Sequence, residues 1–310
     1  METEGCRTME RLADSLFYGF EEKRVTTDET DFAVLVGGSG PPLLLLHGFP
    51  ETRSAWHRIA PLLVSSHTVV VPDLPGYGRS RVLKASAGSG SKRWMGNQLH
   101  AMMRELGHLQ YVVVGHDRGG RVGYRLALDY PDAVTAYVSV TVVPTPEMWE
   151  GAGKAFGMGA WHWFALAQPE PLAEALLSGN PRLILDTSLD KMAQGIDRLH
   201  PLAIGDYRMA FDDPVVRHAI CEDYRAGGTV DEADDLADRS NGRKIKVPVL
   251  VFWEAGRRYG GGREPIDIWA DWGEDVSGKG LEGGHMLPET ASEQILEILV
   301  PFLKRVTGAS

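Results

Sequence analysis

The sequence predicts an α/β protein, a mostly parallel central sheet flanked by helices, with a helical segment inserted before the sheet is completed. Short apolar runs bounded by Gly and Pro recur along the chain: "DFAVLV", "PPLLLLHGF", "HTVVVPDLPG", "YVVVGHD", "VTAYVSVTVVP" and "VPVLVFWE". Their apolarity is continuous rather than alternating, which suits strands covered on both faces of a parallel sheet. Amphipathic stretches separate most of these runs, giving the strand–helix rhythm of the class.

Taken in order, "TRSAWHRIAPLLVSS", "WMGNQLHAMMRELGH", "GGRVGYRLALDY" and "ETASEQILEILVPFLKRV" carry apolar residues at helical spacing and read as helices packed on the sheet. From about Pro144 to about Asn241 the rhythm stops. Helix-like stretches punctuated by Pro and Gly take over, with "GAWHWFALAQPEPL" and "VVRHAICEDYRAGG" as the aromatic parts. Because strands resume at "KVPVLVFWE", the expectation is a core of residues 1–144 and 241–310 with a helical cap at 145–240. The stretch "KASAGSGSK" reads as a flexible loop, and there is no internal repeat.

Of 310 residues, 43% are hydrophobic, enough for a substantial core, and 42 acidic against 32 basic side chains leave a net charge of −10. That balance argues against a nucleic-acid surface and supplies no polybasic membrane patch. Cys6 and Cys221 are too few and too far apart for a disulfide framework or a zinc pair, which fits a reducing, cytoplasmic setting. The start, "METEGCRTMERLADSLF", lacks the continuous apolar core of a secretory signal or anchor. No run of about 18 apolar residues follows, so no membrane partner is expected. The histidines form no ligand spacing such as H-E-x-x-H, and "GGSG" and "GAGKAFG" lack the nucleotide-binding pattern, so neither metal nor cofactor is expected.

The chemistry concentrates in "YVVVGHDRGGRVGYRLALDYPD". Gly115-His116-Asp117-Arg118-Gly119 follows an apolar strand and opens a helix, the context of a nucleophile elbow G-x-Nu-x-G. Small residues flank such a turn because side chains would block a bend sharp enough to expose its central residue. Taken alone, Asp117 would serve equally well as an N-cap. "HGFP", residues 47–50, ends an earlier strand and can supply a backbone N–H to pair with that of Arg118 in holding an anion, with Phe49 expected at the substrate, and "GGHMLPE" puts His285 before the last helix. "PDLPGYGRS" reads equally well as an ordinary strand-to-turn connection. A carboxylate at the elbow needs no deprotonation and can displace a leaving group at saturated carbon, forming an ester of Asp117 that His285-activated water would hydrolyse.

Over nearly its whole length, from "GGSGPPLLLLHGFP" through "GHDRGGRVGYRLALDYPD", "WHWFALAQPEPL" and "RHAICEDYRAG" to "GHMLPE", the chain resembles the α/β-hydrolases, and among them the fluoroacetate (haloacetate) dehalogenases. The resemblance implies an α/β-hydrolase fold, a small carboxylate substrate and a homodimer. It implies Asp117 as nucleophile, Arg118 and Arg121 gripping the substrate carboxylate, and His162, Trp163 and Tyr224 as a halide pocket. Guanidinium forks suit a carboxylate and would keep Asp117 ionised. Trp161 and Phe164 are expected to pack the cap onto the core. Epoxide hydrolases share "HGFP" and "GHDRGG", and there Tyr224 would protonate the epoxide oxygen.

The pattern breaks at "SVTVVPT", where Thr141 stands in place of the aspartate that normally orients the histidine. A hydroxyl cannot electrostatically stabilise an imidazolium, so turnover could be impaired, and a ligand-binding or hydrolysis-impaired homologue is a third reading. Glu254, ending "VPVLVFWE", is the candidate replacement and Glu147 a weaker one, while Arg257 or Arg258 occupies the other usual acid position. No Trp occurs between Trp163 and Trp253, where the family tends to carry one, implying a wider or more polar tunnel.

Overall fold

A computed structural model describes residues 15–309. Cys6 and most of the amino-terminal stretch considered above lie outside the described residues. Nine strands form one mixed sheet: β1 (Glu21–Thr26), β2 (Thr30–Gly37), β3 (Pro42–Leu46), β4 (Thr68–Pro72), β5 (Arg81–Val82), β6 (Tyr111–His116), β7 (Val134–Val140), β8 (Val249–Glu254) and β9 (Val276–Leu281). Their order is β1-β2-β4-β3-β6-β7-β8-β9, with β5 on β2; pairing is antiparallel at β1, β2 and β5 and parallel from β4 to β9. This is the α/β-hydrolase fold expected from the sequence.

The continuous apolar runs became strands covered on both sides. In β3, Leu43 and Leu45 join Trp56, Leu63, Ile295 and Leu299 on one face, while Leu44 and Leu46 join Leu99, Met102 and Val122 on the other. β1 and β9 are edge strands that hydrophobic patterning does not reveal: β1 reads EEKRVT, and its charges suit a solvent-facing edge. β9 reads VSGKGL, and at Gly278 a Cβ would lie 2.3 Å from the Val251 carbonyl.

The expected helix "TRSAWHRIAPLLVSS" is instead a 3₁₀ turn, Arg53–Trp56, and a single helical turn, Ala60–Leu63. Pro61 lacks an N–H and is accommodated in the first turn of a new helix. Helices Lys92–Glu105, Asp117–Asp129 and Ser292–Thr307 lie where the amphipathic pattern puts them. Among the described residues none is long and apolar enough to cross a membrane.

Between β7 and β8 the chain forms eight α-helices, from Thr145–Glu150 to Val230–Ser240, and no strand. Pro starts several of them, and Asn180 and Asp213 cap two by accepting from the Leu183 and Val215 N–H groups. Buried ion pairs fasten this segment to the core: Asp223 receives Arg118, Lys92 and the Tyr77 hydroxyl, and Arg125 reaches Asp235 and Asp238.

The order around β3 positions the site. β4 lies on one side of β3 and β6 on the other, so the loops leaving β3 and β6 meet at a switch point of the sheet. Leu46 pairs with Gly115, placing Gly48 against Asp117. The approach requires glycine: a Cβ on Gly48 would lie 2.4 Å from that of Asp117, and one on Gly119 2.4 Å from the His47 carbonyl. At an open helical position Gly→Ala stabilises by about 1 kcal/mol. Gly119→Ala is expected to do the reverse and destabilise by about 2–3 kcal/mol through backbone collision, read as a lower denaturant midpoint.

Candidate active site

Asp117 has φ 48°, the left-handed conformation of an elbow residue, and is 6% exposed. Its Oδ1 accepts the Phe49 N–H at 2.8 Å, and its Oδ2 lies 3.3 Å from His285 Nε2. Burial alone would raise its pKa. The His285 hydrogen bond and charge, with the charges of His116 and Arg118, outweigh that and hold the carboxyl well below the usual carboxylate range. Asp117 is therefore a desolvated but ionised oxygen nucleophile, with one oxygen held by a backbone donor and the other beside an imidazole. The Arg118 N–H begins the same helix, where N–H groups lack intrahelical acceptors.

Behind the elbow lies a group that motif reading passed over. His116 is fully buried, with Nδ1 2.8 Å from Glu51 Oε2 and Nε2 2.9 Å from the His285 carbonyl oxygen. Glu51 also accepts the Gly48 N–H at 3.0 Å. Burial would depress the His116 pKa, but the charge and hydrogen bond of Glu51, then Asp117, raise it to about 9. A buried imidazolium–carboxylate pair thus ties together the elbow, the Gly48–Phe49 turn and the His285 loop. The polar pair within the runs GHD and PET was its sequence signal.

Asp117, Arg121, Thr141, His162, Trp163, Glu254 and His285 share a cavity of about 870 Å³ between the sheet and the helical segment. Arg121 donates from Nη1 to the Val143 carbonyl at 2.8 Å and to Thr145 Oγ1 at 3.3 Å, while its Nε is buried without a partner. The side chains of His162, Trp163 and Tyr224 make no hydrogen bond among the described residues. They gather with Phe49, whose ring stacks on His162 at 5.4 Å and meets Tyr224 edge-on at 5.4 Å. Tyr224 stands 5.7 Å from His162 and 5.8 Å from Trp163. Phe49 is buried and reaches Asp117 through its backbone.

Several expectations need correction. Arg118 does not line the cavity: its Nε donates to both Asp223 oxygens, at 3.1 and 3.0 Å, Nη2 to the Asp223 carbonyl at 2.7 Å, and Nη1 is buried without a partner. A carboxylate from the helical segment already fills its fork, leaving Arg121 on the wall. Thr141 does not reach His285. Its hydroxyl donates to the adjacent Val140 carbonyl at 2.8 Å, and its φ of 62° is strained for a β-branched residue. Glu254 lines the cavity, but its Oε1 accepts from Gln194 at 3.1 Å rather than from His285. Glu147 is engaged by Trp272 Nε1 at 2.9 Å and by Arg239, and does not line the cavity. His285 Nδ1 has no partner among the described residues. Trp161 lines the cavity and is 44% exposed, and Phe164 packs on Trp149 and Phe156 within the helical segment rather than on the core.

A family model for the alpha/beta hydrolase fold matches residues 41–254. The fluoroacetate dehalogenase of Burkholderia sp. is 38% identical over 291 residues, covering 93% of this chain and 95% of that protein. A soluble epoxide hydrolase of Corynebacterium sp. (strain C12) is 28% identical over 275 residues, covering 86% and 92%. A solved structure described as "a putative epoxide hydrolase from Pseudomonas aeruginosa" superposes with a TM-score of 0.90 at 49% identity, covering 93% of this chain and 96% of that one. A mutant of that protein with bound MFA superposes equally well, at 48% identity.

Titration of these buried groups gives stability an optimum. Burial, then the charge of Glu51, raises Glu289 from 4.5 to about 8, alongside His116, raised from 6.5 to about 9. With folded pKa values above unfolded ones, both contribute stability below their unfolded pKa that is lost as pH rises through 8 and 9. Burial lowers His57 and His162 from 6.5 to about 4, so their contributions are present above 6.5 and lost as pH falls toward 4. Thermal denaturation against pH is expected to show a maximum near pH 6.5 and a fall of about 5 °C between pH 7 and 9. His116→Gln should flatten that alkaline limb.

Proposed function

The chain belongs to the α/β-hydrolase family, and from that premise we propose that it hydrolyses a short 2-haloacid by way of an ester of Asp117, with slow hydrolysis of that ester. The helical segment acts as the cap, and a small carboxylate is the substrate. The observation that carries this reading is the placement of the Asp117 carboxylate, ionised and nearly dry, between the Phe49 N–H and His285, in a cavity whose wall Arg121 shares.

In the first step Asp117 Oδ2 attacks the carbon bearing the halogen. A C–O bond forms, the carbon–halogen bond breaks, and halide leaves with the electron pair. Arg121, the arginine of this helix that lines the cavity, orients the carboxylate. The His162, Trp163 and Tyr224 donors receive the departing halide; His162, with its pKa near 4, is neutral at physiological pH and donates one ring N–H. In the second step His285 takes a proton from water, whose oxygen adds to the ester carbonyl. Negative charge then builds on Oδ1, which the Phe49 N–H already faces. Collapse releases the 2-hydroxyacid and restores the Asp117 carboxylate. The net reaction consumes one water and yields one proton and one halide.

The second step is the weak one. His285 Nδ1 has no carboxylate to orient it, and loss of such a partner costs serine enzymes on the order of 10⁴ in rate. A merely ligand-binding homologue would form no adduct at all. A second reading, epoxide opening with Tyr224 as acid, is supported by the hydrogen-bond freedom of the Tyr224 hydroxyl and by the epoxide hydrolase relative.

Intact-protein mass spectrometry after mixing with chloroacetate is expected to show a carboxymethyl adduct, absent in Asp117→Asn, whose chloride release should fall by about 10³-fold or more. Undiminished release by that variant would sink the proposal. Formation of a diol from an epoxide with no action on haloacetates would select the second reading. Thr141→Asp suits a positive φ better than threonine and puts a carboxylate on the cavity wall that His285 shares. It is expected to speed decay of the adduct by about 10-fold or more, measured in single turnover.

A further inference from the structure

The cavity is larger and more cationic than a two-carbon acid requires. At about 870 Å³ it falls in the range of roughly 300–1,000 Å³ that encloses drug-sized ligands. Arg121, Asp117 and His285 share its wall with an apolar stretch formed by Phe156, Leu183, Ile184 and Met192. The wall also carries Lys191, from helix Pro181–Ala193, and Arg257 and Arg258, from the loop after β8.

Arg258 is paired with Glu264. Lys191 donates to the Gly159 carbonyl at 2.7 Å, and the Arg257 guanidinium lies 5.4 Å from the centre of the Tyr259 ring. Neither has a carboxylate partner among the described residues. The carboxylates of the wall are Asp117 and Glu254, and Glu254 is engaged by Gln194. Gln194 is neutral and leaves the Glu254 charge in place, but Arg121, Lys191 and Arg257 outnumber Asp117 and Glu254 on the wall, and in a chain of net charge −10 that local excess of cations is a site for an anion. Lys191 and Arg257 come from elements other than the helix that carries Arg121, so one small carboxylate leaves them without a role.

Building on the haloacid reading, we propose that the preferred substrate is a 2-haloacid whose apolar chain ends in a second carboxylate. Arg121 holds the carboxylate next to the halogen, the Phe156–Leu183–Ile184–Met192 wall covers the chain, and Lys191 with Arg257 holds the distal carboxylate.

Hexanedioate and hexanoate, both halogen-free, are the probes, titrated calorimetrically into the wild-type chain and a Lys191→Gln/Arg257→Gln variant. Wild type is expected to bind the diacid about 5-fold or more tightly than the monoacid, and the double variant to bring the ratio near one. Equal binding by wild type, or a preference that survives in the double variant, overturns the proposal. Chloride release from chloroacetate is scored on the same preparation. Its absence counts against the haloacid reading, whereas its presence without a diacid preference counts against this inference alone.

Discussion

The 2.8 Å hydrogen bond from the Phe49 N–H to Asp117 Oδ1 depends on two backbones approaching more closely than side chains allow. Gly48 and Gly119 permit the contact, and the Leu46–Gly115 register brings the two strand ends level. Any shift of β3 against β6 would separate donor from carboxylate. The sheet order and the glycines of the elbow therefore serve one end: a carboxylate presented to the cavity at the tip of a bend, with a fixed donor already facing it.

Holding that carboxylate charged away from water is the second constraint. A lone buried anion would take up a proton. Here His285, His116 and the Arg118 guanidinium keep it ionised, and Glu51 holds His116 in place. The same groups are tethers. His116 holds the His285 loop by its carbonyl, Glu51 holds the Gly48 N–H, and Arg118 holds the helix that carries Tyr224 through Asp223. Such pairs add little net stability because desolvation offsets their attraction, yet removing one partner leaves a buried charge uncompensated. Their contribution is better described as geometry: several loops from distant parts of the chain are kept in one arrangement.

The helical segment completes the cavity with donors rather than acids. His162 and Trp163 line it and Tyr224 packs against both from behind, and the N–H and O–H groups of the three have no hydrogen bond among the described residues.

What the sequence by itself determined was whatever rests on local periodicity and local sterics. The buried strands β2, β3, β4, β6, β7 and β8, the elbow at Asp117 and the helices that follow were legible because strands covered on both faces must be apolar throughout and a tight bend must be flanked by glycine. Edge strands β1 and β9 were not, since a strand paired on one side carries little hydrophobic signal. Only the tertiary structure decided which arginine faces the cavity: Arg118 and Arg121 sit one turn apart on the same helix, and Asp223, more than a hundred residues away, engages the first. It likewise decided that Thr141 turns to Val140, that Glu254 is engaged by Gln194, and that His116 and Glu51 pair behind the nucleophile. Hydrogen bonds and ion pairs are selected by distance and direction among groups far apart in the chain, and no local pattern of residues encodes either.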